Sequence, residues 1–180
     1  MCFKVLRYNN LKFSNQQSAI SKTQSGILLI NLGTPDTPHT REVRIFLREL
    51  LSCKRVLDIN PVWRWLLVNF VILPFRSRKS AKAYRKIWLE DGSPLLVYSQ
   101  KLKNALGEQL SEEKIPVELG MQCGRPSLKT AIAKLRGQNC DQIIVLPLYP
   151  QYASSSYGAA IEDLYKVILN DWNMPYLRII

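Results

Sequence analysis

Three short apolar runs, Gly26 to Leu32, Val117 to Met121 and Gln142 to Leu148, alternate with stretches of helical spacing, and this alternation constrains the fold most. The first run closes on Gly33-Thr34-Pro35-Asp36, and Val43, Phe46, Leu47, Leu50 and Leu51 then recur at helical intervals, with Thr37 or Thr40 available as the helix cap. Leu128, Ile132 and Leu135 mark a further helix between the second and third runs, and Ala159 to Leu169 another after the third. Strands alternating with helices imply right-handed crossovers and a mainly parallel sheet. The predicted class is α/β. With 180 residues, 47% of them apolar, one core is the expectation.

An open α/β sheet delivers binding groups at the carboxyl ends of its strands. The stretch Ile143 to Tyr157 runs from such a strand into a loop of aromatics, prolines and hydroxyls, so a ligand is expected at that loop. A last strand is predicted from Tyr176 to Ile180, with no helix after it to cover one face, which leaves that face for a partner or for further sequence.

Charge is uneven along the chain. Residues 1 to 90 carry 16 Lys and Arg against 5 acids, and residues 91 to 180 carry 9 against 9, so the whole excess of +11 lies in the first half. A localised basic field suits an anionic ligand, an anionic membrane surface or nucleic acid. Nucleic acid is not expected, because no zinc-finger, RNP or helix-turn-helix signature accompanies the charge. Residues 1 to 25 lack acids and any sustained period, and read as a basic, disordered tail or, alternatively, as a targeting peptide.

The apolar stretch Val62 to Phe75 spans about 21 Å as a helix, short of a bilayer core of about 30 Å. Two readings stand: a buried core helix, or an apolar lip (61–75) dipping into a membrane surface, with Trp63 and Trp65 at the interface and the basic run Arg76 to Lys86 on the headgroups. Within that run, Arg76, Lys79, Lys82 and Lys86 share a helical face beside Ala83, Tyr84, Ile87 and Trp88. Such a face suits a flat, apolar ligand bearing carboxylates, or else is a solvated basic surface. In the turn that follows, Ser93 either donates a hydrogen bond or caps a helix from Leu95.

Several chemistries are disfavoured by inventory. Gly33-Thr34-Pro35 is not a phosphate loop, since it lacks the glycine spacing and Pro35 has no backbone donor. His39 is the only histidine and sits in a turn, and Ser154 to Ser156 have no evident base. Cysteines at 2, 53, 123 and 140 show neither metal-ligand nor disulfide spacing, which fits a reducing compartment.

Several segments in one order resemble ferrochelatase of the proteobacterial type: Gly26 to Asp36, Ile72 to Ser77, Tyr84 to Trp88, Gly92 to Ser99, and Val145 to Tyr152 with the serines after it. The resemblance covers about residues 26 to 180 and implies the N-terminal one of two Rossmann-like halves. In that family ferrous iron enters protoporphyrin IX in a cleft between the halves, the last step of protohaem synthesis, beneath an apolar lip that meets the membrane. It further implies that Arg76 and Lys79 stand near the porphyrin propionates, that Tyr84 and Ser93 contact the porphyrin, and that Leu32 faces the macrocycle. Iron and porphyrin are then substrates, and no permanently bound cofactor is expected.

The family's metal-handling His and its partner acid belong to the second half, so no catalytic residue is assigned to this chain and a second chain or a C-terminal half is the expected partner. Gln122-Cys123 replaces the Arg-Tyr of some relatives, and Ser155 stands where many have Cys, so an iron-sulfur cluster is not supported. Cys123 reads as a buried apolar side chain. The competing functions are a non-catalytic porphyrin-binding module or an inactive remnant, with an active homodimer ranked lowest because His39 does not match the catalytic position. The expected location is the cytoplasm, peripheral to the inner membrane through 61–79, or the mitochondrion if the tail is a transit peptide.

Overall fold

The computed structural model describes residues 24–169 and 171–180. Four strands, β1 (Gln24–Thr34), β2 (Val117–Gly124), β3 (Cys140–Pro147) and β4 (Tyr176–Ile179), form one parallel sheet in the order β2-β1-β3-β4. The predicted α/β class holds. Strand β1 begins two residues before the predicted domain start at Gly26, because Gln24 pairs with Cys140 and Ser25 with Gln142. The targeting reading of the tail concerns residues outside those described.

β1 is central, and its alternating side chains feed two layers. Leu28 and Ile30 pack with Ile143 and Val145 of β3 against helices α5 (Leu128–Gly137) and α6 (Ala159–Ile168), through Leu128, Ile132, Leu135 and Leu164. On the opposite face Leu29 joins Val117, Leu119 and Met121 of β2 beneath α4 (Pro94–Gln109). Helical period on one partner and strand period on the other thus meet in two apolar interfaces.

A third cluster stands beyond the carboxyl end of β2, where α1 (Thr40–Ser52) packs on a long helical segment. That segment runs α2 (Pro61–Leu66), a π-helical turn (Leu67–Ile72) and α3 (Leu73–Ile87). Val43, Phe46, Leu47 and Leu51 are buried against Val68, Leu73 and Ala81, as the helical spacing of α1 predicts. The expected caps are not used. His39, with extended backbone, holds the N-cap position of α1 without a side-chain bond, while the Thr37 hydroxyl accepts from the His39 N–H.

The two readings of Val62 to Phe75 separate here. Val68 and Leu73 are buried, but Val62, Trp63, Trp65, Leu67, Phe70, Val71 and Phe75 are exposed, with Trp63 at 68% and Phe75 at 79%. A buried core helix is excluded. Among the described residues no helix is long and apolar enough to cross a membrane.

Candidate functional site

At the carboxyl end of β1 the chain leaves the sheet through Leu32-Gly33-Thr34, and α1, α3 and α4 close around that exit. They enclose an open cavity of about 760 Å³. Leu32, Phe46, Leu47, Leu50 and Leu148 give it apolar walls, Arg76, Ser80, Tyr84 and Ile87 line it from α3, and Ser93, Tyr98, Ser99 and Leu102 line it from the α4 side. Neither a carboxylate nor an imidazole side chain is part of that lining. A neighbouring cavity of about 680 Å³ is acidic instead, with Asp36, Glu42 and Glu49 beside Arg125, and repels anionic ligands more than it attracts them.

Four of the five predicted site residues therefore meet in one place. Arg76, Ser80 and Tyr84 lie four apart, so one stripe of α3 faces the cavity. Lys79 is exposed and is not part of the lining. It falls on the outer flank with Lys82 and Lys86, so the single basic face read from the sequence divides into one inward arginine and an outward group of lysines.

Tyr84 is half-buried and held by edge-to-face contacts, 6.3 Å to Phe46 and 6.2 Å to Trp88. Burial raises its pKa, so the hydroxyl remains a neutral donor at physiological pH. Below it, the polar groups at the strand exit are tied together. Asn31 Nδ2 donates to Ser99 Oγ at 3.1 Å while its Oδ1 accepts from the Leu32 N–H at 2.8 Å, and Thr34 Oγ1 donates to Ser93 Oγ at 2.7 Å. Ser93 is at the N-cap of α4, whose first residue is Pro94, yet its side chain makes no cap bond.

Of the loop after β3, Leu148 lines this cavity, while Tyr152 and Tyr157 line a separate one of about 490 Å³. Tyr149 turns back and donates to Gln122 Oε1 at 3.2 Å. Tyr152 and Tyr157 pack on each other, 5.5 Å between ring centroids, beside Arg55. Arg55 pairs with Glu162 and donates to Ser154 Oγ at 3.2 Å, and hydrogen bonds from Lys166 and then Arg55 hold the Glu162 carboxyl below its usual range. The loop's polar groups thus meet β2 through Tyr149 and Arg55 through Ser154.

His39 is exposed at the start of α1, away from the cavity lining. Among the described residues no group of three or more His, Cys, Asp or Glu is placed to hold a metal ion. Cys123 is 5% exposed, within the α1 and α3 cluster. Burial first, then the charges of Glu49, Asp163 and Cys53, push its thiol up from 9.0 to about 12.

The unfolded chain releases this proton near 9 and the folded chain only near 12, so stability is complete below pH 9 and falls through that window. The expected loss is about 1.4 kcal/mol per pH unit, read from urea midpoints at pH 8 and pH 10, and Cys123→Val is expected to remove this contribution.

Sequence reasoning missed Thr34, Ser80 and Phe46. The four-residue step through Arg76, Ser80 and Tyr84 was a usable signal for the second. Nothing local signals the first, since Thr34 meets Ser93 across 59 residues.

Comparison with known proteins agrees with this architecture. The family model described as Ferrochelatase matches residues 24–180. A ferrochelatase of Coxiella burnetii is 50% identical over 139 residues, which cover 77% of this chain and 39% of that protein. Ferrochelatases of Marinomonas sp. and Legionella pneumophila are each 47% identical, over 86% of this chain and 48% and 46% of theirs. The chain thus spans less than half the length of these curated relatives. With a matching model over nearly all of its length and a parallel α/β sheet that opens a cavity at its central strand, the chain belongs to the ferrochelatase family.

Proposed function

We propose that the chain takes part in inserting ferrous iron into protoporphyrin IX, and that it supplies the wall of the cleft that holds the porphyrin. One observation carries this reading: an open, largely apolar cavity that brings an arginine, a half-buried tyrosine and a buried serine to its rim and contains no acid to repel a carboxylate. A porphyrin is a flat apolar ring with two carboxylate side chains, so it needs such walls and such donors. Leu32 lies against the macrocycle, and Arg76, Tyr84 and Ser93 serve the propionates. Arg76 is suited to this because its guanidinium pairs a carboxylate through two parallel bonds.

Iron enters as the dication while two pyrrole protons leave, so the reaction needs a base at the ring's centre. The cavity lining offers none, and the base comes from the second half of the cleft, on a C-terminal half or a second chain. Iron is a substrate in this scheme. No resident cofactor is invoked, and an iron-sulfur cluster is not part of the proposal.

The test is an anaerobic titration of the 180-residue chain with protoporphyrin, followed by ferrous iron or zinc, with absorbance as the readout. Binding without turnover is the expected result. Turnover would place a base in a second copy or at His39, and an absence of binding would overturn the reading.

Peripheral contact with an anionic membrane in the cytoplasm belongs to the same proposal. Trp63, Trp65, Phe70 and Phe75 project outward. Arg76, Arg78, Lys79, Lys82, Arg85 and Lys86 follow on α3 without an ion pair among the described residues. Immersed aromatics and flanking cations reinforce each other at a lipid interface. Sedimentation with vesicles containing phosphatidylglycerol is expected to fall about tenfold or more in Phe70→Asp, since a buried aromatic is lost and a charge is added.

A further inference from the structure

We propose that Thr34 is a positioning residue for ligand carboxylate, acting through Ser93 by fixing which way the serine hydroxyl points. This rests on the reading that Ser93 meets a carboxylate of the porphyrin.

Ser93 occupies the N-cap of α4 with extended backbone, φ −65° and ψ 133°, the conformation in which a serine oxygen ordinarily accepts from the amides of the first turn. Its side chain makes no such bond. Instead Thr34 Oγ1 donates to Ser93 Oγ at 2.7 Å, and both residues are 3% exposed.

The consequence for proton traffic follows from what a hydroxyl holds, one donor and two acceptor sites. Thr34 fills an acceptor site of Ser93. Among the described residues no acceptor takes the proton of Ser93, whose residue lines the cavity. The serine therefore keeps a donor for the ligand, and a carboxylate requires donors only. Thr34 is itself held at the last pair of the β1 and β2 ladder, opposite Gly124, so the oxygen of Ser93 is referenced to the sheet rather than to the end of a helix. Without Thr34, Ser93 is free to turn its oxygen to the first-turn amides.

The experiment compares binding of protoporphyrin IX with binding of its dimethyl ester, which retains the ring and loses both charges. The wild-type chain is expected to prefer the free acid by about tenfold or more, and Ser93→Ala to reduce that preference about three- to tenfold. Thr34→Val is expected to reduce it as much, by weakening acid binding more than ester binding; Thr34→Ser is expected to restore it. The double variant is expected to lose no more than either single one, as coupled groups do. Thr34→Ala serves where the valine variant does not fold.

A Thr34 variant that keeps the wild-type preference while Ser93→Ala loses it would overturn the positioning role and leave the porphyrin reading intact. Equal loss of affinity for acid and ester would also overturn it, since that is the mark of a general structural defect. Equal binding of acid and ester by wild type would remove the carboxylate reading and this inference with it.

Discussion

Gly33→Ala is expected to destabilise the fold by about 3 kcal/mol or more, and to be recovered mainly as insoluble protein. Gly33 has φ +102°, a conformation L side chains rarely adopt, and a methyl there would stand 1.7 Å from the Cys123 carbonyl oxygen. That oxygen belongs to the neighbouring strand of a parallel ladder, where Gly33 pairs with Cys123 and Thr34 with Gly124. A flexible side chain could move aside; a laddered carbonyl moves only with its strand. Gly107 is the control. It lies inside α4 with nothing within 4 Å of the added methyl, and Gly107→Ala is expected to stabilise by about 0.5 to 1 kcal/mol. Urea midpoints of the two variants measure both effects. A wild-type midpoint for Gly33→Ala would mean that β1 and β2 do not approach so closely.

Arg76→Ala is expected to weaken protoporphyrin binding by about 1.5 to 3 kcal/mol, roughly 10- to 150-fold in Kd. Among the described residues Arg76 is the one cation of the cavity lining, and a carboxylate left without it has only neutral hydroxyls to meet. Arg76→Lys is expected to fall between, since it retains charge and loses the planar fork. Lys79→Ala is expected to change Kd less than about threefold, a screened effect of a charge outside the lining. Should the lysine variant weaken binding as much as the arginine variant, the carboxylates lie over the outer flank of α3. Fluorescence quenching of the bound porphyrin reads all three.

The elements legible in the sequence were those whose partners are all apolar. Leu28, Leu29 and Ile30 announce a central strand because both faces are covered, and Leu128, Ile132 and Leu135 announce α5 because one stripe is. Where an apolar residue has two possible destinations, pattern alone does not decide. Trp63 and Phe70 are as hydrophobic as any core residue, and only packing places them outside.

The loop after β3 shows the converse. Its Ser154 reads as available to a ligand, but Arg55, from the turn after α1, donates to it across 99 residues and pairs with Glu162 of α6. The site was partly legible for a similar reason. Arg76, Tyr84, Ser93 and Leu32 line one cavity, while the outward turn of Lys79 depends on the phase of α3 against α1 and α4.

The phase of α2 against α3 is set by chain length in turn. A π-helical turn is an α-helix that carries an extra residue, and here Leu73 N–H reaches back to Val68 O, five residues away. Removing one residue between 67 and 72 would let the segment close as ordinary α-helix and rotate Pro61–Leu66 by about 100° relative to α3. Trp63 and Trp65 would then point elsewhere while Arg76, Ser80 and Tyr84 kept their places. The lip and the cavity wall can thus be re-aimed independently by a single codon gained or lost, whereas substitutions at the same positions would change only what the lip displays.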